Sequence, residues 1–126
     1  MSASVATLLI ADGDVLVRSE IAAYLRDCGY RVVEVASADE AQQIFSAGEP
    51  IRLVLADAHL PGSMDGFGLA QWVRAQKPGV GVLLAASVQR AATVAGELCD
   101  QGPMSARPYD PQIVVDRIKR LLAGGS

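Results

Sequence analysis

No apolar run in this sequence approaches the roughly 18 residues or more that a membrane-spanning helix needs, so no membrane partner is expected. There is no basic run either, and the formal net charge is −3, so composition gives no support to nucleic-acid binding. The nearest approach to a basic cluster, Arg117, Lys119 and Arg120, falls near the end of the expected last helix, where cations are favourable anyway. Cysteine is scarce: Cys28 and Cys99 lack metal-type spacing, and no signal peptide precedes the first strand. Two reduced thiols and a cytoplasmic location are therefore expected. Repeats, linkers and low-complexity segments are missing. What remains is an ordinary globular balance, 51% hydrophobic and 20% charged, in a length suited to one domain over residues 1–126.

The stretch RLVLADAHLPGSMDG, Arg52 to Gly66, organises the rest. Leu53 to Ala56 read as a short strand buried on both faces. Asp57 follows where that strand would leave the sheet, and Pro61 and Gly62 then turn the chain. An unpaired charge is costly to bury, so this carboxylate is expected to work at the surface of the fold and not in its core. The other local reading is a carboxylate that caps the next turn.

In chain order, Val5 to Ala11 is a strand ended by Asp12-Gly13-Asp14. Val17, Ile21, Tyr24, Leu25 and Cys28 recur at helical spacing and Gly29 stops that helix, with Asp14 placed as its N-cap. Arg31 to Val35 is the second strand. Ser37 and Glu40 form a capping-box signature for a second helix whose apolar face is Ala41, Ile44 and Phe45. After the strand leading to Asp57, a third helix carries Leu69, Trp72 and Val73 and ends near Lys77-Pro78-Gly79. Val82 to Ala85 is the fourth strand, and a weakly apolar helix interrupted by Gly96 is expected over Arg90 to Leu98. A short fifth strand around Met104 to Ala106 precedes a fifth helix capped by Asp110 with Pro111 at its first position; Val114, Ile118, Leu121 and Leu122 would face the core. Five alternations of strand and helix predict a doubly wound α/β fold, a five-stranded parallel sheet with helices on both faces.

Overlaying polar residues on the strand ends gives one cleft. Asp12 follows the first strand, Asp57 the third, Ala86 and Ser87 the fourth, and Arg107-Pro108-Tyr109 the fifth. Carboxylate oxygens with little else suit a hard cation such as Mg²⁺. A metal beside a carboxylate, with a further cation, is equipment for phosphoryl transfer, and equally for a plain salt bridge.

The order and spacing of Asp12, Asp57, the loop Leu60 to Gly66 and RPYDP (Arg107 to Pro111) resemble the receiver domain of two-component response regulators, over Val5 to Leu122. The resemblance implies the strand order 2-1-3-4-5. It makes Asp57 the phosphoacceptor, taking a phosphoryl group from a phosphohistidine. Asp12, Asp57 and the backbone carbonyl of His59 would hold Mg²⁺, with Arg107 and Ser87 contacting the phosphoryl group. The His59 side chain would be a surface group. Implied partners are a sensor histidine kinase or a histidine phosphotransfer protein, and a downstream target protein. With no output domain expected after the fifth helix, the chain would be a stand-alone receiver, a signalling module and not an enzyme beyond self-phosphorylation and autodephosphorylation. A homodimer would form through the face from the fourth strand to the fifth helix.

The chain departs from the family pattern at four positions. Gly13 stands where the second of two adjacent acids is usual, which implies weaker Mg²⁺ binding; Ala86 replaces a Thr or Ser, leaving Ser87 one place late; Arg107 replaces a Lys; and Met104 replaces an aromatic residue. Those changes feed a second reading, a pseudo-receiver that serves as a phosphorylation-independent interaction module. A third reading comes from LLIADGDVL, Leu8 to Leu16, which resembles the motif of haloacid-dehalogenase-type phosphatases, with Asp12 as nucleophile and Asp14 as general acid.

Overall fold

The computed structural model describes residues 6–100 together with Gln112 and Asp116. The elements are β1 (Thr7–Ala11), α1 (Val15–Asp27), β2 (Arg31–Val35), α2 (Ala38–Ser46), β3 (Ile51–Asp57), α3 (Gly66–Gln76), β4 (Gly81–Ala85) and α4 (Val88–Asp100). The four described strands are all parallel, in the order β2-β1-β3-β4. These are the first four positions of the expected order. The expected fifth strand lies outside the described residues, as does the fifth helix apart from Gln112 and Asp116, which are helical and joined by a 2.9 Å hydrogen bond.

Side chains alternate across a strand, so each apolar run feeds two cores. Leu8, Ile10, Leu55 and Ala85 pack against α1 and α4. Leu9, Ala11, Val54 and Ala56 pack against α2 and α3, where Phe45 and Trp72 meet at 5.8 Å between ring centroids. Burial on both faces is why β1 and β3 read as continuous apolar runs and not as alternating ones.

The starts of α1 and α2 follow the expected caps. Asp14 accepts from the backbone N–H of Leu16 and Val17 at the start of α1. Ser37 accepts from Glu40 N–H, while Glu40 reaches back one residue further than a capping box requires and accepts from Ala36 N–H at 2.7 Å.

Three expectations need correction. Asp57 is the last residue of β3, not the first beyond it. Helix α4 runs from Val88 to Asp100, longer than Arg90 to Leu98, and Gly96 does not interrupt it. Gly96 lies among Ala91, Ala92, Val94, Ala95 and Cys99 on the buried face, where small side chains permit close packing.

The third correction concerns the cysteines. Cys28 and Cys99 are joined in a disulfide, with Cα atoms 5.3 Å apart across 71 positions of sequence. Spacing could not show this, because the bond follows from α4 lying on the same face of the sheet as α1. A right-handed crossover from β4 to a strand beyond it would have put α4 on the face of α2 and α3.

Candidate functional site

Strand order reverses between β1 and β3, and ligands in such sheets bind outside the carboxyl ends of the strands at that point. Asp12 and Asp57 meet there, in a cleft of about 210 Å³ that also takes in Asp14, Arg18, His59, Ala86, Ser87 and the first turn of α4. Each wall is tied to its neighbour. Asp12 N–H donates to the Val35 carbonyl at 3.1 Å, and Ala58 N–H donates to the Ala85 carbonyl at 3.0 Å. The ends of all four described strands are thereby fixed around the opening.

Asp57 Oδ1 accepts from His59 N–H at 3.0 Å, which orients the carboxylate and turns the chain into the loop. Its Oδ2 has no hydrogen-bond partner among the described residues. The start of α3 comes so close that a Cβ at Gly66 would strike the Asp57 carbonyl oxygen and stand 2.8 Å from Ala58 Cα. Only glycine lets α3 begin against the backbone that carries Asp57. The His59 side chain is exposed, as expected.

Asp12 Oδ1 accepts from Asp14 N–H at 2.8 Å. Burial nevertheless pushes the Asp12 carboxyl up from 3.8 to about 6, and the negative charges of Asp57 and Asp14 add to the rise. A cleft that disfavours its own second negative charge suits a hard cation with oxygen ligands, so the residues fit Mg²⁺. The side-chain set is small, since no group of three or more acidic, His or Cys side chains converges as metal ligands among the described residues.

That environment has a pH signature. The folded-state value lies above the ordinary one, so between about 4 and 6 the folded state holds more protons, and stability should fall as pH rises through that window. Fully felt, the rise would correspond to about 3 kcal/mol; the carboxyl is only partly buried, and solvent screening leaves about 1 kcal/mol. Asp12→Asn should thus unfold later than the wild type at pH 7.5 without divalent ions, and the two should converge at pH 4. Denaturant unfolding at the two pH values tests this; a variant less stable at pH 7.5 would contradict it.

Ser87 lines the cleft, but its Oγ accepts from Arg90 N–H at 3.1 Å and so caps α4; its hydroxyl hydrogen remains to donate. Ala86 supplies no hydroxyl. Arg107 lies outside the described residues. Asp14 faces the cleft edge while its Oδ1 caps α1.

Arg18 escaped the sequence reading. Its Nη1 donates to the Asp12 carbonyl at 2.7 Å, and its Nε lies 3.4 Å from Glu34 Oε1. One guanidinium thus joins the end of β1 to β2 from α1, on the cleft wall. The available signal was a lone Arg one turn after the Asp14 cap, beside the apolar stripe of Val17 and Ile21.

Comparison with known proteins agrees with this geometry. The family model of the response regulator receiver domain matches residues 8–105. Transcriptional regulatory protein GltR of Pseudomonas aeruginosa is 30% identical over 125 residues, covering 97% of this chain and 51% of that protein. AruR of the same organism is 29% identical over 95% of this chain and 50% of its own length. The chain thus spans about half the length of these curated relatives. Among solved structures, a putative response regulator from Chloroflexus aurantiacus is 31% identical, covers 95% of this chain and 99% of its own, and superposes with a TM-score of 0.60. A CheY-like receiver domain protein from Methanospirillum hungatei, 24% identical over 96% of both chains with a TM-score of 0.62, shares the fold. With two carboxylates at the switch point of a parallel sheet and a family match over most of its length, the chain belongs to the response regulator receiver domains.

Proposed function

We propose that this chain is the phosphoacceptor receiver of a two-component phosphorelay, with Asp57 as the acceptor. The observation that carries the reading is the placement of Asp57 at the end of β3, oriented through Oδ1 by His59 N–H, in one cleft with Asp12. Oδ2 attacks the phosphorus of a phosphohistidine on a partner protein. A P–O bond to Asp57 forms as the P–N bond breaks, and the electron pair leaves with the imidazole of the donor. Asp12, Asp57 and the His59 backbone carbonyl would hold Mg²⁺, which supplies charge neutralisation for the phosphoryl oxygens when bound. Arg18 keeps the end of β1, and so Asp12, in place; Ser87 and Arg107 would contact the product phosphoryl group.

The donor is a sensor histidine kinase or a histidine phosphotransfer protein, and the signal passes on through protein contacts, in the cytoplasm. None of the described helices is long and apolar enough to cross a membrane. The domain extends over residues 1–126, and a homodimer through the β4 edge and the fifth helix would follow from the same reading.

The test is intact mass after incubation with a small-molecule phosphodonor and Mg²⁺. The wild type should gain one phosphate and Asp57→Asn none. A gain that persists in Asp57→Asn removes Asp57 from the role. No gain in the folded wild type would favour the second reading, an interaction module independent of phosphorylation, for which the missing hydroxyl at Ala86 and the engaged Ser87 are the structural arguments.

A further inference from the structure

Helix α4 has one end at the acceptor cleft and the other in a covalent bond. Ser87 caps it, and Val88 and Ala91 in its first turn line the cleft. Twelve residues and ~18 Å from Ser87, its last turn carries Cys99, bonded to Cys28 at the C-cap of α1. Helix α1 forms the opposite wall with Val17, Arg18 and Ile21. The disulfide therefore joins the two helices that wall the cleft, at the end remote from Asp57.

Among the described residues, one side-chain hydrogen bond reinforces that end. Tyr30 OH donates to the Leu98 carbonyl at 2.6 Å, and burial pushes its phenol pKa up. Most of the fully buried α4 contact is made by the small side chains Ala91, Ala92, Val94 and Ala95, with the larger Val88 and Leu98 packed only partly buried against the same cluster. Around them, Leu8, Ile10, Ile21, Leu25 and Leu55 form a core that does not pass through the sulfur atoms. Two reduced cysteines would remain there as small apolar side chains. In a reducing compartment, where a receiver reading places the chain, a disulfide is as a rule transient and redox-sensing.

We propose that Cys28–Cys99 is a reversible thiol–disulfide site that clamps α4 to α1, and that its reduction by a dithiol frees α4 to respond to events at the cleft. A thiolate of the dithiol attacks one cysteine sulfur and expels the other as thiolate. The second thiol of the reductant then closes its own disulfide and releases the first cysteine. The two cysteines gain two electrons and two protons, and the dithiol loses them. Both cysteines are buried, at 0% and 1% exposure, so attack requires α4 to lift from α1 first. The second half of the proposal rests on the reading of Asp57 as acceptor.

The experiment is amide hydrogen exchange on the full chain at 20 °C, oxidised, reduced with dithiothreitol, and as Cys28→Ala/Cys99→Ala. Without ligand, reduction and the double variant should each speed exchange in residues 92–100 at least tenfold and leave them less protected than β1 and β3, whose own exchange rises only with the lower global stability. Reoxidation should restore slow exchange. Equal exchange in α4 before and after reduction overturns the proposal, and so does a loss of protection that is the same in α4 as in β1 and β3, which would make the bond a structural staple. With beryllofluoride and Mg²⁺, changes should stay within residues 86–91 in the oxidised chain and spread through residue 100 in the reduced one; the same pattern in both overturns the coupling. Absence of any change near Asp57 in both states counts against the acceptor reading alone, because the ligand-free comparison has already decided whether the clamp exists.

Discussion

Reduction of Cys28–Cys99 should lower thermal stability more than any other single change considered for this chain. A cross-link between residues 71 positions apart removes loop-closure freedom from the unfolded chain, worth about 4 kcal/mol for a loop of this length. For a domain of this size that corresponds to a fall of roughly 15 °C in melting temperature. The core around β1 and β3 loses little in return even as α4 loosens, because both sulfurs sit in an apolar cluster with Ile21, Leu25 and Val94 that tolerates thiols. The expected result is therefore a reduced protein that is folded at 20 °C, keeps its far-UV circular dichroism, and melts well below the oxidised one. Thermal scans with and without dithiothreitol, beside Cys28→Ala/Cys99→Ala, measure it; the double variant should melt near the reduced wild type. A shift below about 3 °C in both would mean that the cross-link acts on a denatured state already compact at those positions.

Gly13→Asp should cost about 2–3 kcal/mol and should fail to improve Mg²⁺ affinity, although it restores the acid usual at that position. A Cβ there would stand 2.9 Å from Pro61 Cδ and 3.0 Å from Cγ. The ring cannot swing aside as a long flexible side chain could, and overpacking of this kind costs about 1–3 kcal/mol. Pro61 is itself held on both sides: Leu60 is buried against the core of α2 and α3, and Gly62 turns the chain with φ +99°. A third carboxylate beside Asp12 and Asp57 adds repulsion of the kind already acting on Asp12. The glycine at 13 is thus the steric counterpart of the loop that carries Pro61. Gly13→Asp combined with Pro61→Ala should regain about half the lost stability and bind Mg²⁺ more tightly than the wild type. Calorimetric titration and denaturant unfolding of the two single variants and the double form the cycle. Tighter Mg²⁺ binding by Gly13→Asp alone, at unchanged stability, would show that the loop yields freely and that Pro61 imposes nothing on position 13.

Gly13 illustrates how the site was legible and where legibility stopped. That an acid is missing could be read directly from the residues after the first strand. What a side chain there would meet could not, since Pro61 is 48 positions away and the contact exists only once two loops meet over the strand ends. Arg18 is a similar case: its place on α1 was plain, but its bonds to the Asp12 carbonyl and to Glu34 depend on how α1 lies across β1 and β2.

The sequence by itself determined the four described strands, the helix caps at Asp14 and Ser37, and the convergence of Asp12 and Asp57 on one edge of a parallel sheet. These follow from local rules: apolar runs mark strands buried twice, short polar side chains satisfy the first free N–H groups of helices, and alternation of strand and helix forces the strand ends to one side. Only the tertiary structure decided that α4 packs beside α1, that Cys28 meets Cys99, and that a proline ring fills the space a Gly13 side chain would need. The physical reason is that periodicity records which face of an element is buried and leaves open what buries it. The apolar face of α4 is built of alanine, valine and glycine, small enough to suit either side of the sheet, so its partner was settled by packing and cross-linking between elements far apart in the chain.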